Sequence, residues 1–107
     1  MKFINNNFAV IGQIQPSDII ELKKHNFSVI VNNRPDNEAT NQPLSKEIEE
    51  IAKQHQIHYY HIPVAGMSPE HINALKTVLA KHQNEKILGF CASGNRASML
   101  YIMANQK

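Results

Sequence analysis

The sequence predicts an α/β protein with a mostly parallel central sheet of about four to five strands and helices on both faces. Apolar runs of strand length alternate with stretches whose apolar residues recur every three or four positions. Clusters of proline and small polar residues separate these segments. Alternating strands and helices are typical of a parallel sheet covered by helices. The length of 107 residues fits one domain over residues 1–107.

Four apolar runs predict the strands. They lie at residues 8–14, 27–31, 57–64 and 87–90. The second run, FSVIV, is rich in β-branched residues and fits a central strand, because such residues pack well on a buried pleated surface. The third run ends near Pro63, which cannot donate a hydrogen bond to a neighbouring strand.

Four amphipathic stretches predict the helices. They lie at residues 18–25, 43–54 and 69–81, and over the segment that follows Arg96. Pro16 fits the first turn before the first helix, and Ser68 with Pro69 has the pattern of a capped helix start. Residues 32–42 are polar, and Pro35 disfavours a helix there, so we expect a loop.

Composition excludes several classes of function. The formal net charge of +2, with no cluster of lysine and arginine, predicts no nucleic-acid partner. A single cysteine excludes a disulfide framework and a zinc site of several cysteines. The sequence has no signal-peptide pattern and no run of membrane-spanning length. We therefore expect a cytoplasmic protein with a reduced thiol and no membrane partner; the oligomeric state stays open.

The segment from Cys91 to Arg96 is the strongest candidate site. It lies between a predicted strand and a predicted helix, where backbone N–H groups and the helix start favour a bound anion and a thiolate. Cys91 is then the catalytic nucleophile, and the Arg96 guanidinium can hold two oxygens of an oxyanion. The oxyanion-binding residues between them are Ala92, Ser93, Gly94 and Asn95. A buried structural cysteine is the alternative.

Two other loops follow predicted strands, and we expect them to lie beside the Cys91 loop, because sites in parallel sheets lie beyond the carboxyl ends of the strands. They are residues 32–38 and 65–68. Three histidines, His55, His58 and His61, have a suggestive spacing, but His58 and His61 point to opposite faces of a strand. We therefore predict no shared metal site among them and no cofactor. His61 and Gln13 are further candidates to reach the site.

The segments FSVIVNNRPDNEATNQP, YYHIPV and CASGNRAS, with GQIQPSDI near the start, resemble the phosphatase-like domain of bacterial beta-lactamase hydrolase-like proteins. That family is similar in fold to dual-specificity and tyrosine phosphatases. The resemblance implies Cys91 as nucleophile, residues 92–95 as the oxyanion loop and Arg96 as its clamp. It also places Arg34, Asp36 and Glu38 at the rim. Asp36 is the first candidate for the proton donor, and Glu38 is the reserve.

Three departures keep alternatives open. Four residues separate Cys91 from Arg96, whereas phosphatases of that fold have five and many rhodaneses have four. Residues 65–68 lack the general-acid aspartate of the dual-specificity enzymes, and Phe90 stands where a histidine commonly precedes the nucleophile. The sequence thus predicts a phosphatase-like hydrolase acting on a small anionic phosphate ester. The alternatives are a sulfurtransferase that takes sulfur from a persulfide donor onto Cys91, and an oxyanion-binding module without turnover.

Overall fold

The structure, a computed structural model, describes residues 1–106 and has a five-stranded sheet at its centre. The strand order is β1-β2-β5-β3-β4. Strand β1 pairs with β2 in antiparallel orientation, and the other three pairings are parallel. The strands are β1 (Lys2–Asn5), β2 (Phe8–Ile11), β3 (Phe27–Asn32), β4 (His58–His61) and β5 (Lys86–Phe90). The predicted mostly parallel sheet is confirmed.

Within residues 1–106, four helices cover the two faces of this sheet, as predicted. They are α1 (Ile19–Lys24), preceded by a 3₁₀ turn (Pro16–Asp18), then α2 (Ser45–Gln54), α3 (Pro69–Lys81) and α4 (Asn95–Ala104). Helices α1 and α2 bury their apolar residues in a core on one face, and α3 and α4 do so on the other. Among residues 1–106, no helix is long and apolar enough to cross a membrane.

The structure differs from the predicted elements mainly at their ends. Strand β2 stops at Ile11 instead of residue 14, because the chain turns at Gly12 and the Gln13 N–H donates to the carbonyl of Ala92. Strand β4 covers four residues rather than residues 57–64. Strand β1 was not predicted. It lies at the sheet edge with mostly exposed side chains, so its sequence lacks a buried apolar pattern.

The parallel arrangement brings the carboxyl ends of β3, β4 and β5 together. Buried Asn33 follows β3 and joins all three: its N–H donates to the Phe90 carbonyl, and its own carbonyl accepts from the Val64 N–H. Its side-chain amide also donates to the Ile62 carbonyl over 3.0 Å. These bonds hold the loops after the three strands in a fixed relation, and the candidate site lies there.

Candidate active site

The cysteine loop joins β5 to α4, and its sulfur lies at the bottom. Cys91 is fully buried, and the backbone nitrogen of Gly94 donates to Cys91 Sγ over 3.0 Å. Gly94 has φ of 95°, in the left-handed region that glycine adopts without strain, and it directly precedes α4. This conformation turns the chain so tightly that its N–H groups face the sulfur three residues back.

These backbone dipoles set the ionisation of Cys91. Burial by itself raises the pKa of the thiol, because it removes the thiolate from water. Hydrogen bonds from the backbone N–H groups of Ala97, Ser93, Gly94 and Arg96 act in the opposite direction, and the net pKa is lowered from its ordinary value. The loop therefore favours a thiolate, which is the nucleophilic form.

Arg96 lies at the first turn of α4 and is held by two acceptors. Its Nη1 and Nη2 donate to the two carboxylate oxygens of Glu38 over 2.8 and 2.7 Å. Nη1 also donates to the Val64 carbonyl over 2.8 Å. The hydrogen bond with Glu38 raises the pKa of Arg96, and the negative charge of Cys91 adds to this effect. The guanidinium is thus fixed, charged and directed toward the cysteine loop.

Glu38 lies between two arginines at the rim of the site. Besides its contact with Arg96, it accepts a hydrogen bond from Arg34 Nε over 3.0 Å. The hydrogen bond from Arg96, and then that from Arg34, outweigh desolvation and lower the pKa of Glu38 from 4.5 to about 2. A carboxyl with this pKa is ionised at neutral pH and has no proton to donate. Glu38 therefore serves as an anchor for the two guanidinium groups.

Arg34 is itself held from two sides. Its Nη1 donates to Gln13 Oε1 over 3.0 Å, and its backbone carbonyl accepts from His61 Nε2 over 2.8 Å. Gln13 and His61 thus both reach the rim. Sequence reasoning named them only as candidates, since strand ends alone do not show which side chains turn inward. The sequence did not predict that the Val64 carbonyl would accept a hydrogen bond from Arg96, because a backbone acceptor has no signature in the sequence.

The Asp36 side chain forms no hydrogen bond with the cysteine loop, residues 91–96. Its Oδ1 accepts a hydrogen bond from the backbone N–H of Ser45 over 2.8 Å, at the first residue of α2. Ser45 is buried, and its hydroxyl lies 2.8 Å from the hydroxyl of Tyr59. The Asp36 carboxylate thus satisfies one of the free N–H groups at a helix start. Its catalytic role stays a prediction.

A groove of about 260 Å³ lies against the outer side of the cysteine loop. Residues 93–95 line it, together with Lys2 and Gly12. Gly12 is required there, because a Cβ at this position would lie 2.9 Å from the Ala92 carbonyl oxygen. Cys91 and Arg96 do not line this groove, although Ser93, Gly94 and Asn95 of the same loop do.

The fold and the cysteine loop together define a phosphatase-like domain. The chain belongs to the family described as beta-lactamase hydrolase-like protein, phosphatase-like domain, whose model matches residues 1–107. It is 32% identical over 103 residues to the beta-lactamase hydrolase-like protein of Xylella fastidiosa strain Temecula1. That match covers 94% of this chain and 24% of the relative, so the chain spans about a quarter of the relative's length.

Solved structures show the same fold. A putative phosphatase from Shewanella putrefaciens CN-32 superposes with a TM-score of 0.85 at 19% identity, covering 97% of this chain and 65% of that one. A putative phosphatase from Neisseria meningitidis Z2491 gives 0.80 at 21% identity, covering 94% and 72%. The active form of Tk-PTP gives 0.68 at 17% identity, covering 96% and 78%. The predicted resemblance to tyrosine phosphatases is confirmed for the fold.

Proposed function

We propose that this domain is a cysteine-dependent phosphatase acting on phosphate monoesters with a stable leaving group, such as aryl phosphates. One observation carries the proposal: the backbone N–H of Gly94 donates to Cys91 Sγ over 3.0 Å, in a loop that leads directly into the start of α4. Backbone N–H groups of the loop lower the pKa of Cys91 and so favour the thiolate. Such groups can also donate hydrogen bonds to the oxygens of a bound phosphoryl group. Membership in a phosphatase-like family supports the same chemistry.

The reaction follows from these groups in two steps. The Cys91 thiolate attacks phosphorus, a sulfur–phosphorus bond forms, and the bond from phosphorus to the ester oxygen breaks. The loop N–H groups and Arg96 hold the phosphoryl oxygens, and the leaving group departs with the electron pair of the broken bond. Water then attacks the phosphocysteine, which releases inorganic phosphate and a proton and returns the thiolate.

The choice of leaving group rests on the carboxylates near the site. Glu38 is ionised by its two arginines, and Asp36 is bound to the Ser45 N–H. Residues 65–68, whose loop holds the acid in dual-specificity enzymes, contain no carboxylate. A phenolate leaves without a proton, whereas an alkoxide requires a donor, and lack of one costs about 10² to 10⁴-fold in rate. We therefore expect aryl phosphates to be the better substrates.

The experiment measures release of inorganic phosphate from an aryl phosphate and an alkyl phosphate. Wild type should turn over the aryl ester much faster, and Cys91→Ser should abolish both activities. Met99→Ala is the matched control, because Met99 lies on α4 with an exposed side chain. Equal turnover by wild type and Cys91→Ser would contradict the proposal.

Asp36→Asn separates two roles of that residue. A proton donor predicts slower alkyl phosphate hydrolysis and nearly unchanged aryl phosphate hydrolysis in this variant. A helix-capping role predicts no change with either ester, because the asparagine side-chain oxygen can still accept from Ser45. The ratio of the two rates, compared between wild type and the variant, distinguishes these outcomes.

Transfer of sulfur is the second candidate, and the four-residue spacing between Cys91 and Arg96 favours it, because a shorter loop makes a tighter cradle. With thiosulfate, the Cys91 thiolate would attack the outer sulfur, a cysteine persulfide would form, and sulfite would leave as an anion that needs no acid. Intact mass after incubation with thiosulfate tests this candidate. A gain of one sulfur atom, absent in Cys91→Ser and without ester turnover in wild type, would replace the phosphatase proposal.

A further inference from the structure

Three side chains that commonly ligate metals meet at the end of the sheet where the parallel strands begin, opposite the cysteine loop. They are His58, His82 and Glu85, and each offers a ligand atom within 4.8 Å of the others. His58 is the first residue of β4, His82 follows α3, and Glu85 precedes β5. The sequence does not reveal this cluster, because 24 positions separate His58 from His82 and a folded sheet is needed to bring them together.

The geometry of the three groups suits a small cation. His82 is buried, with 4% of its surface exposed, and its Nδ1 lies 2.5 Å from Glu85 Oε2. The ring of His58 lies beside it, with ring centroids 4.8 Å apart. A tetrahedral ion with bonds of about 2.0–2.2 Å needs ligand atoms about 3.3 Å apart. Small side-chain rotations would therefore lengthen the distance from His82 Nδ1 to Glu85 Oε2. They would also bring a ring nitrogen of His58 within bonding distance of the ion.

Two further residues hold these ligands in place. The Tyr60 hydroxyl lies 2.6 Å from His82 Nε2, and the Ser28 hydroxyl donates to Glu85 Oε1 over 3.0 Å. A proton on His82 Nε2, donated to Tyr60, leaves the Nδ1 lone pair directed at Glu85 and the proposed ion. Ligating histidines usually donate their other N–H in this way, and ligating carboxylates are usually hydrogen-bonded themselves.

We propose that His58, His82 Nδ1 and Glu85 Oε2 bind one Zn²⁺ ion, with water as the fourth ligand. Two imidazoles and one carboxylate suit Zn²⁺, whereas Mg²⁺ and Ca²⁺ prefer oxygen ligands alone. A hydrogen bond between His82 and Glu85 accounts for that pair without a metal. It does not account for the position of the exposed His58 ring, which lies beside the same histidine at an interplanar angle of 46°. The zinc site explains the position of this third group.

The expected role is structural. Within the described residues 1–106, strand β4 lies at the sheet edge and pairs only with β3. An ion at this position would join the start of β4 to the turn between α3 and β5, and so would tie the edge strand to the rest of the sheet. Metal that binds the folded chain in preference to the unfolded chain raises the melting temperature.

Isothermal titration of the untagged protein with Zn²⁺ tests the proposal. We expect one ion per chain, and at least tenfold weaker binding in His58→Ala and in Glu85→Gln. His58 is exposed, so its loss should not prevent folding. His25→Ala is the matched control, because His25 is an exposed histidine at the end of α1 and outside the cluster. Cys91→Ser should bind like wild type, which excludes the thiolate as the ligand.

A second measurement follows thermal unfolding with and without Zn²⁺. The ion should raise the melting temperature of wild type and of His25→Ala, and it should leave His58→Ala unchanged. The proposal is overturned if wild type binds no Zn²⁺, if His58→Ala and Glu85→Gln bind as tightly as wild type, or if Cys91→Ser alone abolishes binding. These results are independent of phosphate release and of sulfur transfer.

Discussion

Replacing Glu38 by glutamine should destabilise the fold in a pH-dependent manner. Glu38 is the shared acceptor of Arg34 and Arg96, and glutamine keeps its size but removes its charge. The two guanidinium groups would then face each other across a neutral side chain. Since Arg96 bonds to two Glu38 oxygens at once, the wild-type pair has the strong bidentate geometry.

The lowered pKa of Glu38 gives the magnitude of the expected loss of stability. Its depression from 4.5 to about 2 corresponds to an upper bound of about 3.4 kcal/mol, at about 1.36 kcal/mol per pKa unit. Because 30% of the Glu38 side chain is exposed, solvent screening reduces this value, and we expect a loss of about 1–2 kcal/mol at pH 7. A carboxyl with a depressed pKa stabilises the fold fully above pH 4.5 and loses that contribution as the pH falls toward 2.

Urea unfolding of wild type and Glu38→Gln at several pH values between 7 and 3 measures the effect. The difference in the free energy of unfolding should be constant above about pH 5 and should shrink steadily below it. Glu50→Gln is the control, because Glu50 lies on α2 with an exposed side chain that forms no hydrogen bond or ion pair within residues 1–106. Equal stability of wild type and Glu38→Gln at pH 7, or a difference that does not change with pH, would refute this reasoning.

Three further outcomes concern the cysteine loop. The thiolate absorbance of Cys91, taken as the difference from Cys91→Ser, should titrate with a midpoint below that of an ordinary thiol measured in the same way; a midpoint at or above it would indicate a structural cysteine. Arg96→Lys should weaken the binding of inorganic phosphate although charge is kept, because lysine lacks the planar fork; equal affinity would contradict the clamp. Gly94→Ala should lower the stability by about 1–3 kcal/mol and raise the midpoint of the Cys91 titration, because its φ of 95° and the Ile11 backbone 3.3 Å from a new Cβ disfavour a side chain; unchanged values of both would show that the loop tolerates one.

The spacing of apolar residues, together with the positions of proline and small polar residues, was enough to predict the layered α/β fold. Helix α3 runs over Pro69–Lys81 as predicted, because Ser68 and Pro69 mark its start and its apolar residues repeat at helical spacing. Strand β1 could not be predicted in this way. Its stability comes from antiparallel pairing with β2, such as Lys2 opposite Val10, and not from an apolar pattern of its own.

The candidate site was also predictable only in part. The sequence placed Cys91 and Arg96 at the two ends of one short loop, so their proximity followed from chain connectivity alone. Sequence could not show that Glu38 would bond to Arg96, because 58 positions separate them and the pairing depends on the exact course of two loops. Nor could it show that Asp36 would be bound to the start of α2. These contacts are formed by tertiary structure.

The junction made by Asn33 has a consequence for local unfolding. Asn33 itself follows β3, and its backbone and side chain bond to residues that follow β4 or end β5. The loops carrying Cys91, Arg34 and the Val64 carbonyl therefore share one buried centre. Opening any one of these loops would leave buried polar groups of the others without partners, at about 1–3 kcal/mol each. The three loops should therefore open together as one cooperative unit. The amide protons of Asn33 and Val64 should accordingly exchange with solvent at similar, slow rates, close to those of the central strands.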